Sequence, residues 1–160
     1  MILAIDPGNI ESAWVLYDPD GGHVVRKGKE PNADVLQRLR DWQYSNTTLV
    51  VERIACYGMA VGDEVFETCV WTGRFIEAWL RHTCLKDPVR ITRKDVKMHL
   101  CGSMRAKDKN VILELSNRYG GKKCKGTKKN PGPLYGIAGD QWQALAVAVT
   151  FAETKMKEAV

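Results

Sequence analysis

Three carboxylates in this sequence stand at the ends of predicted secondary-structure elements. Asp6 and Glu52 each close a short apolar run, and Asp140 opens the last predicted helix. Acids at the ends of buried strands project from the edge of an α/β sheet that usually holds ligands, so these side chains converge if the two strands are neighbours. Three converging carboxylates do not easily all stay ionised without a cation, and hard oxygen ligands select Mg²⁺ or Mn²⁺. A single acid in such a place is more often a turn former or a helix cap, so the prediction depends on the whole set.

Basic residues are concentrated in one part of the chain. From Lys86 to Lys129 the sequence has 14 basic and four acidic residues, a balance of +10, whereas the remainder has a balance of −5 within a total of +5. Such a segment is typical of proteins that bind polyanions, most often nucleic acids, although a solvated lysine-rich surface has the same composition. Beside an acidic cation site, it indicates metal-assisted phosphodiester hydrolysis, in which two ions roughly 3.5 to 4 Å apart activate a water and stabilise the leaving oxygen.

Length and composition favour one soluble domain. The 160 residues, 44% of them hydrophobic, are enough to form a core without a disulfide or a structural metal. No run approaches the ~20 apolar residues of a membrane span, and the N-terminus lacks the pattern of a signal peptide. We therefore expect a cytoplasmic protein with no membrane partner.

The cysteines and histidines leave one alternative open. Five scattered cysteines without a C-x-x-C pair predict reduced thiols. His82, Cys84, His99 and Cys101 have the donor types of a tetrahedral zinc site, but their H-x-C spacing is not that of a zinc knuckle or ribbon. Because free cysteine is among the most buried residue types, ordinary packing is the favoured interpretation.

Predicted strands and helices must position these residues. Their order, βββαβαβααα without a repeat, indicates a single α/β or α+β domain. The strands are predicted at Met1–Asp6, Ala13–Asp18, His23–Gly28, Thr48–Glu52 and Val89–Ile91. The helices are predicted at Ala33–Trp42, Val61–His82, Thr92–Leu100, Ala106–Tyr119 and Ala138 to about Lys157. Asn32 is expected to cap the first helix, and Thr92 with Asp95 to form a capping box.

Two segments have features that the predicted fold alone does not require: extra apolar surface on one helix and extra basic residues in one loop. The helix Val61–His82 has a wider apolar surface than one buried face requires, which either packs under the protein's own sheet or contacts a second subunit. At about residues 120–136 the chain is rich in Lys, Gly and Pro without periodicity, which predicts an irregular, mobile basic loop.

In the order of its motifs, the sequence resembles the RuvC-type Holliday-junction resolvases of the RNase H-like superfamily, including their small phage versions. The matching segments are Ile2–Gly8 (ILAIDPG), Val50–Glu52, Lys94–Lys97 leading to Gly102-Ser103, and Asp140–Ala148 (DQWQALAVA). The resemblance implies an α/β, RNase H-like fold over residues 1–160, with a central five-stranded mixed sheet flanked by helices. It also implies a homodimer that nicks four-way DNA junctions with divalent metal, in a bacterial or phage-infected cell.

The resemblance also assigns the acidic positions. Asp6, Glu52 and Asp140 correspond to metal ligands of the family, with Asp6 expected to bridge two Mg²⁺ or Mn²⁺ ions. Gln143 stands where the family has a fourth acid. At i, i+3 it shares a helix face with Asp140, and an amide oxygen ligates a hard cation more weakly than a carboxylate. The chain is therefore either active with three acids and an amide, or impaired, or altered at this position.

Basic and aromatic positions complete the implied site. Lys97 corresponds to a basic residue near the scissile phosphate, and Lys107 or Lys109 lies close to a second, of which Lys109 is the candidate for charge neutralisation and Lys107 for a DNA contact. Tyr57 lies near the place of an aromatic residue that stacks on unpaired junction bases, although its offset differs. The loop lysines expected to grip a DNA arm are Lys122, Lys123, Lys125, Lys128 and Lys129.

Two other functions remain open from the sequence. One is an RNase H-like nuclease that acts on hybrid or flapped substrates. The other is a junction-binding protein that has lost cleavage through Gln143.

Overall fold

A computed structural model describes residues 1–43, 45–56, 58, 60–82 and 85–154. The strands are β1 (Ile2–Asp6), β2 (Glu11–Asp18), β3 (His23–Pro31), β4 (Thr48–Arg53) and β5 (Val89–Thr92). The helices are α1 (Asn32–Arg40), α2 (Asp63–Leu80), α3 (Arg93–Cys101), α4 (Asp108–Arg118) and α5 (Gln141–Thr154), with a short 3₁₀ turn at Gly121–Lys123. Within the described ranges, this order confirms the predicted βββαβαβααα pattern.

The five strands form one mixed sheet in the order β3-β2-β1-β4-β5. Short turns join β1 to β2 and β2 to β3, which makes these pairs antiparallel. Longer connections lead to β4 and β5, which run parallel to β1 and to each other. The carboxyl ends of β1, β4 and β5 therefore meet at one edge of the sheet, as the predicted convergence of the strand-end acids requires.

Alternating side chains divide the core between the two faces of the sheet. Leu3, Ile5 and Val51 pack with α1 and α2 on one face. Ala4 and Val50 pack with α3, α4 and α5 on the other. Helix α5 is buried along nearly its whole length, which explains why its sequence lacks a polar face. Among the described helices, none is long and apolar enough to cross a membrane.

Helix α2 buries only part of its apolar surface. Phe75 and Trp79 lie in the core, but Phe66 and Val70, one turn apart, are 59% and 55% exposed. The wide apolar surface predicted for this helix is therefore not all covered by the protein's own sheet.

Apart from the short 3₁₀ turn, the basic loop at about 120–136 has no helix or strand, and backbone hydrogen bonds close it on itself. Leu134 N donates to the carbonyl of Cys124 at 2.8 Å, and Gly132 N donates to that of Lys125 at 3.1 Å. Buried Cys124 and Leu134 anchor its two ends in the core. A Cβ at Gly132 would lie 2.3 Å from the Cys124 oxygen, so the close backbone approach requires glycine. Glycine and proline here specify a tight turn that periodicity does not reveal.

Candidate active site

Asp6 and Glu52 lie side by side at the ends of β1 and β4. Ile5 is paired with Val51, so Asp6 and Glu52 form the next position of the parallel register, where strands lie about 4.8 Å apart. Because side chains alternate along a strand, both acids project to the face that Ala4 and Val50 share with α5. The predicted convergence of these two strand-end carboxylates therefore follows from the sheet order.

A hydrogen-bonded turn supports Asp6. The hydroxyl of Ser12 accepts from Gly8 N and donates to the side-chain oxygen of Asn32 at 2.6 Å, while the Asn32 amide donates to the Gly8 carbonyl at 2.9 Å. A Cβ at Gly8 would lie 2.3 Å from the carbonyl oxygen of Glu11.

The prediction that Asn32 caps α1 is wrong. Pro31 holds the cap position, and buried Asn32 instead secures the turn that follows β1.

Burial perturbs both strand-end acids, and the charge of Glu52 adds to the effect on Asp6. Burial, and then the charge of Glu52, raise the pKa of Asp6 to about 8. Burial also raises the pKa of Glu52, against the opposing charge of Arg93. At neutral pH without a bound cation, Asp6 is therefore mainly protonated, and a divalent ion would have to displace that proton.

Arg93, at the start of α3, neutralises Glu52. Its Nη1 lies 3.1 Å from Glu52 and its Nη2 lies 2.8 Å from Asp108 at the start of α4. The Nζ of Lys97 is 3.4 Å from the same Asp108 oxygen. These basic side chains lower the pKa of Asp108, although burial opposes them. Lys97 is thus linked to the candidate site by its ion pair with Asp108, which also contacts Arg93.

The third acid, Asp140, lies just before α5 and is paired with Lys29. Its carboxylate accepts from Lys29 Nζ at 2.8 Å, and Lys29 also lies 3.7 Å from Glu11. Asp140 is close enough to Asp6 to raise that residue's pKa. The side chain of Asp140 is 55% exposed, so it is the outer of the three acids.

Gln143 lies one helical turn after Asp140 and is only 9% exposed. Among the residues that the structure describes, none donates a hydrogen bond to its buried Oε1. A buried acceptor without a donor is unfavourable, so this oxygen is suited to a cation or a water.

The donor chemistry fits a hard divalent cation. Asp6, Glu52 and Asp140 supply carboxylates, and Gln143 supplies a buried amide oxygen. In their present arrangement, however, no three acidic, histidine or cysteine side chains of the described ranges are grouped closely enough to hold one ion. Arg93 and Lys29 provide the neutralising charge instead.

The other predicted site residues lie around this centre. Lys107 and Lys109 flank Asp108 at the start of α4, and both are exposed. The five loop lysines are also exposed, and Lys125 Nζ lies 5.2 Å from the ring centroid of Trp142, one residue before Gln143. This contact brings the basic loop to the start of α5. Tyr57 lies outside the described residues.

The histidines of the hypothetical zinc set are not together. His82 contacts the Leu39 carbonyl at 2.7 Å on the α1 and α2 face of the sheet. His99 contacts Glu153 at 2.6 Å on the opposite face, and Cys84 lies outside the described residues. The described members therefore do not form one zinc site.

Sequence reasoning missed Arg93, Asp108 and Lys29. Lys29 is paired across the sheet with Ala13, which is paired with Asp6, so all three lie in one row of the sheet. Arg93 directly follows β5, whose Ile91 is paired with Glu52. Both relationships depend on strand order and register, for which the linear sequence has no local signal.

Two solved structures of RuvC resemble this chain. A Thermus thermophilus RuvC structure has a TM-score of 0.67 and 17% identity, covering 98% of this chain and 96% of that chain. T. thermophilus RuvC in complex with Holliday junction substrate has a TM-score of 0.67 and 15% identity, covering 98% and 94%. No protein-family model and no curated protein sequence matches this sequence. At these identities the likeness establishes the fold alone, and the protein has a RuvC-type, RNase H-like fold.

Proposed function

We propose that this protein is a divalent-metal-dependent endonuclease that resolves four-way or other branched DNA junctions. The observation that carries the proposal is the partly buried Asp6 and Glu52 pair at adjacent strand ends, where the pKa of Asp6 is raised to about 8. Two neighbouring, largely buried acids destabilise the metal-free fold, and acids with perturbed pKa values cluster at functional sites. The RuvC-type fold and the junction complex of its structural neighbour support the choice of substrate.

In this proposal Asp6, Glu52, Asp140 and the amide oxygen of Gln143 would hold two Mg²⁺ or Mn²⁺ ions. Bound ions would supply activation of a water and neutralisation of charge on the leaving oxygen. Lys97 and Lys109 place positive charge at the rim, where it favours a phosphate.

The substrate is tested with the purified chain on a labelled four-way junction, an RNA–DNA hybrid and a flap, in Mg²⁺, Mn²⁺ or EDTA. We expect paired nicks in the junction that require the metal. Cleavage of the hybrid or the flap in preference to the junction would instead support the general RNase H-like nuclease. Tight junction binding without cleavage would support the binding protein that has lost its activity through Gln143.

The basic loop is proposed to grip a DNA arm. Replacing its five lysines (Lys122, Lys123, Lys125, Lys128 and Lys129) with Ala is expected to weaken junction binding and to flatten its salt dependence. Each lost phosphate contact lowers the slope of log K against log salt by about 0.9. Fluorescence anisotropy at several salt concentrations measures the affinity for the junction and its salt slope. Arg26→Ala, which removes an exposed basic residue on β3 outside the segment from Lys86 to Lys129, serves as the control. An unchanged slope in the five-lysine variant would exclude the loop as a DNA contact.

We also propose that the protein is a homodimer formed through α2. Phe66 and Val70 present an exposed apolar strip beside a groove lined by Leu36 and Arg74. A symmetric dimer would bury this strip against its own copy, and it would place two sites on one junction.

The dimer is tested with Val70→Glu, which is expected to yield monomers and to uncouple the paired nicks, since a charge buried at an apolar interface is unfavourable. Leu113→Glu is the matched control, because Leu113 on α4 is also 55% exposed. Analytical ultracentrifugation gives the oligomeric state. If the parent chain is already monomeric, or if both variants remain dimeric, α2 is not the interface.

A further inference from the structure

We propose that Arg93 is a built-in counter-ion of the candidate metal site: it pairs with Glu52 while no metal is bound, and a divalent ion must displace it from that carboxylate. This inference rests on the metal site proposed above. It adds a residue that competes with the ion and thereby sets how readily the site is loaded.

The geometry of Arg93 supports this role. One guanidinium nitrogen contacts Glu52 at 3.1 Å, and the other contacts Asp108 at 2.8 Å, so a single planar group bridges the two acids. Glu52 is only 14% exposed, whereas Asp108 is 56% exposed. The guanidinium therefore has an inner partner, which is a candidate metal ligand, and an outer partner, which is not.

The asymmetry of the two contacts suggests how the exchange proceeds. A largely buried carboxylate is stabilised by a counter-charge, which either Arg93 or a metal ion can supply to Glu52. When an ion takes over this role, Asp108 can retain Arg93 at the rim of the site. Lys97, 3.4 Å from Asp108, already contributes positive charge there. Release from Glu52 therefore does not require Arg93 to lose both partners.

Lys29 is less suited to the same role. It pairs with Asp140 at 2.8 Å, but both side chains are about half exposed, at 42% and 55%. Exposed ion pairs are weakened by solvent, so Lys29 is expected to compete with an ion only slightly. Arg93, which contacts the less exposed ligand Glu52, is therefore expected to compete more strongly with a metal ion than Lys29 does.

The inference is tested by measuring Mn²⁺ binding to the whole chain without DNA. The electron paramagnetic resonance signal of free Mn²⁺ reports how much of the ion is bound. Measurements are made above pH 8, so that protonation of Asp6 does not dominate. Arg93→Gln is expected to bind Mn²⁺ about tenfold more tightly than the parent, because it removes a full positive charge beside a ligand. Arg93→Lys keeps the charge but not the fork, and it is expected to lie between the two.

Arg90→Gln is the matched control, because it removes the same charge from an exposed position on β5. We expect its Mn²⁺ affinity to stay within about twofold of the parent, since exposed charges are screened. Equal or weaker Mn²⁺ binding by Arg93→Gln and Arg93→Lys would overturn the role of Arg93 and leave the metal site standing. Absence of Mn²⁺ binding by the parent would overturn both proposals.

Discussion

Asp6→Asn is expected to stabilise the metal-free protein, by on the order of 3 kcal/mol near neutral pH. Burial and the charge of Glu52 raise the pKa of Asp6 from 3.8 to about 8 in the folded state. Between these pH values the folded protein holds a proton that the unfolded chain has released, so stability falls as pH rises through the window. An Asn side chain has no such proton, and the variant lacks this contribution to the pH dependence.

Urea unfolding in EDTA at a series of pH values measures this effect. The stability gap between Asp6→Asn and the parent is expected to be small near pH 3.8 and to widen up to about pH 8. Asp20→Asn, which changes an exposed acid in the turn between β2 and β3, is the control. A gap that does not vary with pH would show that Asp6 is not protonated in the folded protein.

Mn²⁺ is expected to reverse this order of stability. A ligand that binds only the folded state stabilises it by about 4.1 kcal/mol at one thousand times its dissociation constant, which exceeds that gap. The parent should gain this stabilisation, and Asp6→Asn, which lacks the Asp6 carboxylate, should gain little. The carboxylate that destabilises the metal-free fold would thus be the one that binds metal.

Gln143→Asp is expected to strengthen metal binding by about tenfold and to increase cleavage, because ligand charge largely sets the affinity of a hard-cation site. The new carboxylate would occupy the buried position where the amide oxygen has no donor among the described residues. It would also destabilise the metal-free protein, since it adds a buried charge beside Asp140. Calorimetric titration with Mn²⁺ and junction cleavage measure the two gains.

Gln141→Asp is the matched control for this substitution. It adds the same charge on the same turn of α5, but Gln141 is more exposed and its side chain accepts from Ala138 N. Equal Mn²⁺ affinity in the two variants would mean that position 143 is not a ligand. Cleavage by Gln143→Asp alone would identify the natural chain as a junction-binding protein.

The sequence predicts the strand-end acids well because their signal is local. An apolar run that ends in a carboxylate indicates a buried strand with an acid at its edge, as for Asp6 and Glu52. The capping box of α3 is equally local, and the Thr92 and Asp95 contacts confirm it. Gln143 enters the candidate site through the resemblance to the RuvC-type resolvases, and its i, i+3 spacing from Asp140 predicts that both lie on one helix face.

The remaining contacts depend on strand order. Arg93 is 41 residues from Glu52 along the chain, so only the register of β4 and β5 brings them together. Asn32 has a residue type that favours helix caps, but the hydroxyl of Ser12 and the carbonyl of Gly8 take its side chain instead. In both cases a tertiary partner determines the role, and local propensity does not.

Cleavage of a labelled four-way junction by the parent and by Asp6→Asn, side by side in Mg²⁺ and in EDTA, tests the proposed metal site most directly. We expect paired nicks by the parent in Mg²⁺, none in EDTA, and a rate at least about 10³-fold lower for Asp6→Asn. Loss of folding does not explain that result, because the variant is expected to be more stable than the parent even without bound metal. Cleavage by Asp6→Asn at the parental rate, or by the parent in EDTA, would contradict the account.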